Sequence, residues 1–183
     1  MRYSWGMTKT CERCGTGITT MRAGARFCST RCRVAAHRAA KLPLPVEMTS
    51  RDRWVRRTAT KRPVTVSGAP ASSTNPATWS KFSDARASNV GNGMGFVLGD
   101  GVGCYDLDYC IDADGQIQPW VHDFILGIPE RVLFTEVSMS GRGVHVFVEA
   151  PEGPGRRYKV DGHSVERYTR GQYIAVTGRE VRL

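Results

Sequence analysis

The sequence predicts an α+β protein, with a mostly antiparallel sheet and flanking helices behind a small four-cysteine zinc module. Three observations predict it. Four of the six cysteines, Cys11, Cys14, Cys28 and Cys32, crowd into one short segment near the start. From Gly95 onward, short β-type runs alternate with turns rich in Gly, Asp and Ser, broken by one helical stretch. The charge is divided as well: residues 1–63 carry 15 basic and 3 acidic side chains, residues 64–183 carry 11 and 14, so the formal net charge of +9 joins two unlike parts.

A chain of 183 residues, 40% hydrophobic and 23% charged, has room for one domain of roughly 100–150 residues plus a small module. Its composition excludes wholesale disorder and a fibrous chain. No run approaches the ~20 apolar residues of a membrane span, and the polar stretch Met1–Thr10 lacks the apolar core of a signal peptide. A cytoplasmic protein without a membrane partner is therefore expected. The basic front end points to a polyanion, nucleic acid ahead of anionic membrane, against the plainer reading of a solvated charged surface.

The first element is the module over residues 1–41. Its cysteines are spaced C-x2-C-x13-C-x3-C, within the range of structural zinc sites, because each close pair can grip a tetrahedral ion from a tight turn. Two disulfides are the alternative, which a reducing compartment disfavours. Ser29 is placed to cap a helix over Arg31–Lys41. Four thiolates complete a site, so His37 reads as a surface residue, and Arg31, Arg33 and Arg38 as phosphate contacts at most. Residues 42–63, with Pro43, Pro45 and Pro63 and a helix-like stretch over Arg51–Arg57, read as a linker into a domain spanning 64–183.

In that domain, strands are expected over Phe96–Leu98, Val102–Asp108, Val132–Val137, Gly143–Val148, Val165–Tyr168 and Tyr173–Thr177, with a helix over Pro119–Leu126. The order argues for α+β architecture. Asp106 and Asp108 stand two residues apart on a strand and so share a face. Two carboxylates that close repel each other, and a divalent cation is the simplest relief. Asp112-Ala-Asp114-Gly115 looks like part of a calcium loop, but Val121 stands where the bidentate Glu belongs. A strand end followed by an Asp/Gly turn is the bland alternative. Downstream, Ser138-Met-Ser140-Gly141-Arg142-Gly143 forms a turn whose backbone N–H groups and hydroxyls suit phosphate, with His145 opposite its apolar neighbours. Glu166 lies on a later short strand. Cys104 and Cys110 read as one free core thiol and one free surface thiol.

Taken in order, Tyr105-Asp106-Leu107-Asp108, Ser138-Met-Ser140-Gly-Arg-Gly-Val-His145, Val165-Glu166 and Tyr173-Ile-Ala-Val-Thr177-Gly178 resemble the primase–polymerase (prim-pol) branch of the archaeo-eukaryotic primase superfamily, of the phage and plasmid type. Arg53-Trp54-Val55, Lys61-Arg62-Pro63 and Asn75-Pro76 resemble its lead-in, so the likeness covers roughly residues 50–180. The resemblance implies a DNA primase/polymerase in which Asp106, Asp108 and Glu166 bind two Mg²⁺ or Mn²⁺ ions. It further implies that His145, Ser138, Ser140, Gly141, Arg142, Gly143 and Arg170 hold the nucleotide phosphates, with Lys61 or Arg62 as additional candidates. Partners implied are single-stranded or primed DNA template and nucleoside triphosphates; a replicative helicase would be a separate protein. One departure is Gln172, where similar sequences carry Arg. Two rival readings stay open: a catalytically inactive nucleic-acid-binding protein of the same fold, and a metal-dependent nuclease.

Overall fold

The computed structural model describes residues 9–34 and 44–181 and divides into two compact units, Met1–Pro43 and Leu44–Leu183. The first carries nine basic and one acidic side chain, the second seventeen and sixteen. The basic surplus thus belongs to the cysteine unit, while the second unit is nearly neutral.

In the first unit, Cys11 N–H donates to the Thr16 carbonyl (2.8 Å) and Gly15 N–H to that of Cys11 (2.9 Å). Gly15 sits at φ +74°, the left-handed conformation that closes a tight turn without steric cost in glycine. Ser29 Oγ accepts from Cys32 N–H (3.1 Å), the expected cap, and residues 30–34 are helical. The rest of the expected helix, with His37 and Arg38, lies outside the described residues. Ile18, Ala25 and Cys11 are the buried apolar residues here, backed by Phe27, a core too small to hold a fold without a staple.

The second unit contains α1 (Val46–Thr49), β1 (Trp54–Arg57), β2 (Pro63–Val64), α2 (Phe82–Ala87), β3 (Gly93–Val97), β4 (Val102–Leu107), α3 (Pro119–Leu126), β5 (Val132–Val137), β6 (Val144–Glu149), β7 (Arg156–Val160), β8 (His163–Tyr168) and β9 (Tyr173–Val176). The class is α+β as expected, but the strands form two sheets, ordered β2-β1-β3-β9 and β5-β6-β4-β8-β7. Every strand pairing is antiparallel.

The expected linker is corrected from residue 44. Within the stretch read as helix-like, Arg51–Arg57, residues Trp54–Arg57 form strand β1, paired to β2 and β3. Trp54 is fully buried against Phe82 and Phe96, with ring centroids 4.9 and 5.2 Å away, and its indole N–H donates to Met48 O (3.0 Å). Burial of a large aromatic outweighs the helical leaning of a short Arg-rich run. Two arginines of this segment, Arg53 and Arg56, are consequently structural. Arg53 donates to the carbonyls of Val97 and Leu98 and lies 4.4 Å from the Trp79 ring centroid. Arg56 donates to those of Val90 and Ala85.

Alternation along β4, β6 and β8 sends Tyr105, Leu107, Val144, Val146, Val148 and Val165 to one face, where they pack with Val121, Trp120 and Phe124 of α3. Burying such side chains contributes about 1.5–3 kcal/mol each. Cys104 and Cys110 are both fully buried, so the expectation that one of the two is a surface thiol is corrected; Cys110 Sγ–H donates to Leu107 O (3.3 Å). Strand β7 is an addition to the expected set, because an edge strand reading Arg-Arg-Tyr-Lys-Val has no apolar run to announce it.

Candidate functional site

The opposite face of the five-stranded sheet carries the chemistry. Strand register aligns one residue from each strand in a single row: Glu136 beside His145, His145 beside Asp106, Asp106 beside Glu166, and Glu166 beside Arg157. Neighbouring strands lie about 4.8 Å apart, so ionisable groups expected from scattered motifs, or not expected at all, become adjacent. Asp108 lies one residue past the end of β4 and is exposed.

Glu136 escapes sequence reasoning. It is completely buried and fully engaged. One carboxylate oxygen is 3.0 Å from His145 Nδ1. The other accepts from Thr177 N–H (3.0 Å), Thr177 Oγ1–H (3.1 Å) and Gly178 N–H (2.7 Å). This explains in physical terms why Thr177-Gly178 accompanies the His145 segment: both bind one carboxylate, which ties β9's end to the other sheet. A buried carboxylate draws the imidazole proton to Nδ1. Nε2 therefore faces the site, 3.7 Å from Asp106 Oδ1. The signal available in the sequence is a carboxylate inside a strand, Glu136 of β5, two residues before Ser138 opens the Ser/Gly turn.

Asp106 is largely buried. Burial is the main force raising its carboxyl pKa, and nearby Asp108 and Glu166 raise it further, while His145 and Lys61 oppose them. Lys61 belongs to the turn between β1 and β2, at φ +63°, and its carbonyl accepts from Tyr173 O–H (2.7 Å). Glu166 is held by Arg157 on one oxygen and by Tyr168 O–H on the other (2.7 Å).

The Ser/Gly turn is folded against the end of β4. A side chain at Gly143 would place its Cβ 2.7 Å from Leu107 O, so only glycine permits this approach. Ser138 and Ser140 hydroxyls are 3.0 Å apart. Arg142 N–H donates to Ser140 Oγ (3.2 Å) and Gly141 N–H to Ser138 O (3.1 Å). These two N–H groups, expected as phosphate donors, are spent inside the turn. Exposed groups there are Ser140 and Arg142, the latter 5.0 Å from the Tyr109 ring centroid. Arg170 is exposed in the bend after β8 and the structure brings it to no site carboxylate. Gln172 contributes its backbone carbonyl to Leu98 N–H (2.9 Å).

The four sulfurs of the first unit converge within 4.8 Å of one another. Cys14–Cys28, Cys28–Cys32 and Cys32–Cys14 are 3.5, 3.5 and 3.7 Å apart. A tetrahedron with Zn–S bonds of ~2.3 Å has edges of about 3.8 Å, whereas a disulfide requires ~2.05 Å. The Cys28 backbone N–H pulls the Cys11 thiol pKa down, while the sulfurs of Cys32 and Cys14 push that of Cys28 up. Four mutually opposed thiols are a donor set that fits a soft divalent metal such as zinc. Among the described residues, only these four bring metal-ligating atoms together so closely; the carboxylates of Asp106, Asp108 and Glu166 share a region without doing so.

No family model matches the chain. It is 33% identical over 135 residues to a protein named DNA primase-polymerase from Nitratiruptor phage NrS-1, a match covering 68% of this chain. The match covers 18% of that relative's length. No helix among the described residues is long and apolar enough to cross a membrane.

Proposed function

We propose that the chain is a DNA primase–polymerase that transfers nucleotides to a template-directed 3′-end, using the row centred on Asp106. The observation that carries this is the register that sets Asp106 between His145 and Glu166 in one row of the sheet; the likeness to the phage protein supports it. Asp106 and Asp108 would hold divalent Mg²⁺ or Mn²⁺, and Glu166 would join by giving up Arg157. Such ions, when bound, supply stabilisation of the entering and leaving oxygens of an in-line displacement. A partly buried carboxylate crowded by like charges is a fitting donor for a hard cation.

The chain's own groups divide the remaining work. Glu136 holds the His145 Nδ1 proton, which leaves Nε2 to meet a phosphate or hydroxyl of the nucleotide. Lys61, held near Asp106 by a turn that Tyr173 anchors, and Arg142 beside the Ser/Gly turn offer positive charge to a triphosphate. The serines order the turn and leave the exposed Ser140 hydroxyl for contact. Arg170 would contribute only after the bend that carries it moves. A zinc-bound four-cysteine unit with its surplus of basic side chains would grip template by its phosphates, in the cytoplasm of a phage host.

The test is primer extension on single-stranded template with labelled nucleotides and Mg²⁺ or Mn²⁺, beside the Asp106→Ala/Asp108→Ala variant. Template-dependent products that the variant abolishes are expected. Synthesis surviving in the variant, or template cleavage without incorporation, would overturn the proposal; cleavage alone would favour a nuclease.

A further inference from the structure

The five-stranded sheet has two edges that differ. Along β5, residues 179–181 run antiparallel and cover it: Val137 N–H donates to Arg179 O (2.9 Å) and Val181 N–H to Thr135 O (2.8 Å). Along β7 no described segment pairs with the outer side. This bare strand carries Arg156, Arg157 and Lys159, three of the eleven basic side chains of residues 64–183, and no acid. Charge on an edge is a common guard against strand-to-strand association, which would account for the cations alone. It does not account for Tyr158, 38% exposed, nor for what lies beneath it.

Beside Tyr158 opens a groove of about 850 Å³, whose lining includes Arg156, Tyr105, Arg167 and Glu130. Its floor is cross-linked by hydrogen bonds. Arg167 donates to Glu130 (2.6 Å) and to the Tyr105 hydroxyl (3.2 Å), which itself donates to Glu130 (2.9 Å). With Glu130 committed to Arg167, and Arg157 to Glu166, Arg156 and Lys159 carry charge that no described acid neutralises. Strand alternation places Arg156 and Tyr158 on the groove face, in register with Arg167 and Val165. Arg157 and Lys159 point the other way, toward the face of Asp106 and Glu166. One edge thus presents cations on both faces and an exposed ring between them, about 3.3 Å per residue along its length.

A ligand matching this has repeated negative charge and flat apolar units in alternation. We propose that the β7 edge binds a single-stranded polynucleotide, one base stacked on Tyr158 and the flanking phosphates on Arg156 and Lys159, so that the strand crosses from the groove to the Asp106 face. Stacking platforms set among cations are how proteins hold single strands irrespective of sequence. An acidic peptide would use the charges and leave the ring idle. The inference rests on the reading of the Asp106 row as a template-using site, since that is what the bound strand would serve.

The test measures binding of fluorescein-labelled oligo(dT) by anisotropy, in EDTA so that no transfer occurs, across a salt series with the full chain. Tyr158→Ala should weaken binding on the order of 10-fold while Tyr158→Phe retains it. Arg156→Ala/Lys159→Ala should reduce the slope of log K against log salt by about 1.4, the contribution of two phosphate contacts on a single strand. All three positions are on an exposed edge, and circular dichroism verifies that the variants fold. Unchanged affinity and slope in these variants would overturn the proposal, as would equal weakening by Tyr158→Phe and Tyr158→Ala. Primer extension run in parallel separates the two readings: extension in the wild type with normal oligo(dT) binding by the variants removes only the β7 edge. Absence of extension in the wild type removes the nucleotidyl-transfer reading instead.

Discussion

Replacing Glu136 by Gln keeps shape and volume but removes the charge that four donors share. The amide oxygen must stay with Thr177 N–H, Thr177 Oγ1–H and Gly178 N–H, because turning the amide would set NH₂ against three donors. The NH₂ group then faces His145 Nδ1, and the imidazole must accept there and carry its proton on Nε2. Hydrogen bonds to a charged group are worth about 1.5–3 kcal/mol against about 0.5–1.5 for neutral ones. Four such losses, partly offset by relief from burying a charge, destabilise the fold by about 1–3 kcal/mol. For a unit of this size that lowers Tm by roughly 3–10 °C. Glu136→Ala, which strands several buried donors, costs more. The functional effect of the reversed tautomer is a loss of about 10–100-fold in primer extension, the range seen when a partner that orients a histidine is removed. The assay is extension at saturating nucleotide, run well below the variant's Tm. Glu136→Gln with activity within about threefold of wild type, against that expected range, would refute the role of this carboxylate in presenting Nε2.

Asp106→Asn should abolish extension yet raise the Tm of the metal-free protein. The raised Asp106 carboxyl binds its proton more tightly in the folded chain, so wild-type stability falls as pH climbs from the ordinary carboxyl value through the raised one, and the Asn variant lacks that fall; a Tm–pH series in EDTA measures it. Added Mn²⁺ should raise wild-type Tm and leave Asp106→Asn nearly unmoved. Gly143→Ala meets Leu107 O at 2.7 Å and should cost about 1–3 kcal/mol with a drop in extension, read by thermal melting and primer extension. Cys28→Ser should lower bound zinc from one equivalent, measured by elemental analysis; unchanged zinc content would refute a four-sulfur site.

The four-cysteine cluster is already legible along the chain. Cys11, Cys14, Cys28 and Cys32 are close in sequence, so spacing alone brings them together. Asp106 and Asp108 lie two residues apart, and the helix over Pro119–Leu126 and the strand over Val132–Val137 stand at their expected bounds, because local periodicity decides such elements. What the sequence could not decide is pairing. Glu136, His145, Asp106, Glu166 and Arg157 form one row because five strands adopt one register, and register depends on contacts between residues far apart in the chain. For the same reason a stretch that reads as a basic linker is the buried strand β1, and Arg53 and Arg56 bind carbonyls rather than phosphates. Opposed charges along the sequence suggest a template grip joined to an acidic domain; the fold assigns the surplus to the cysteine unit and leaves the second unit nearly neutral. Composition determined how many charges there are, and only the tertiary structure determined which of them are free to meet a ligand.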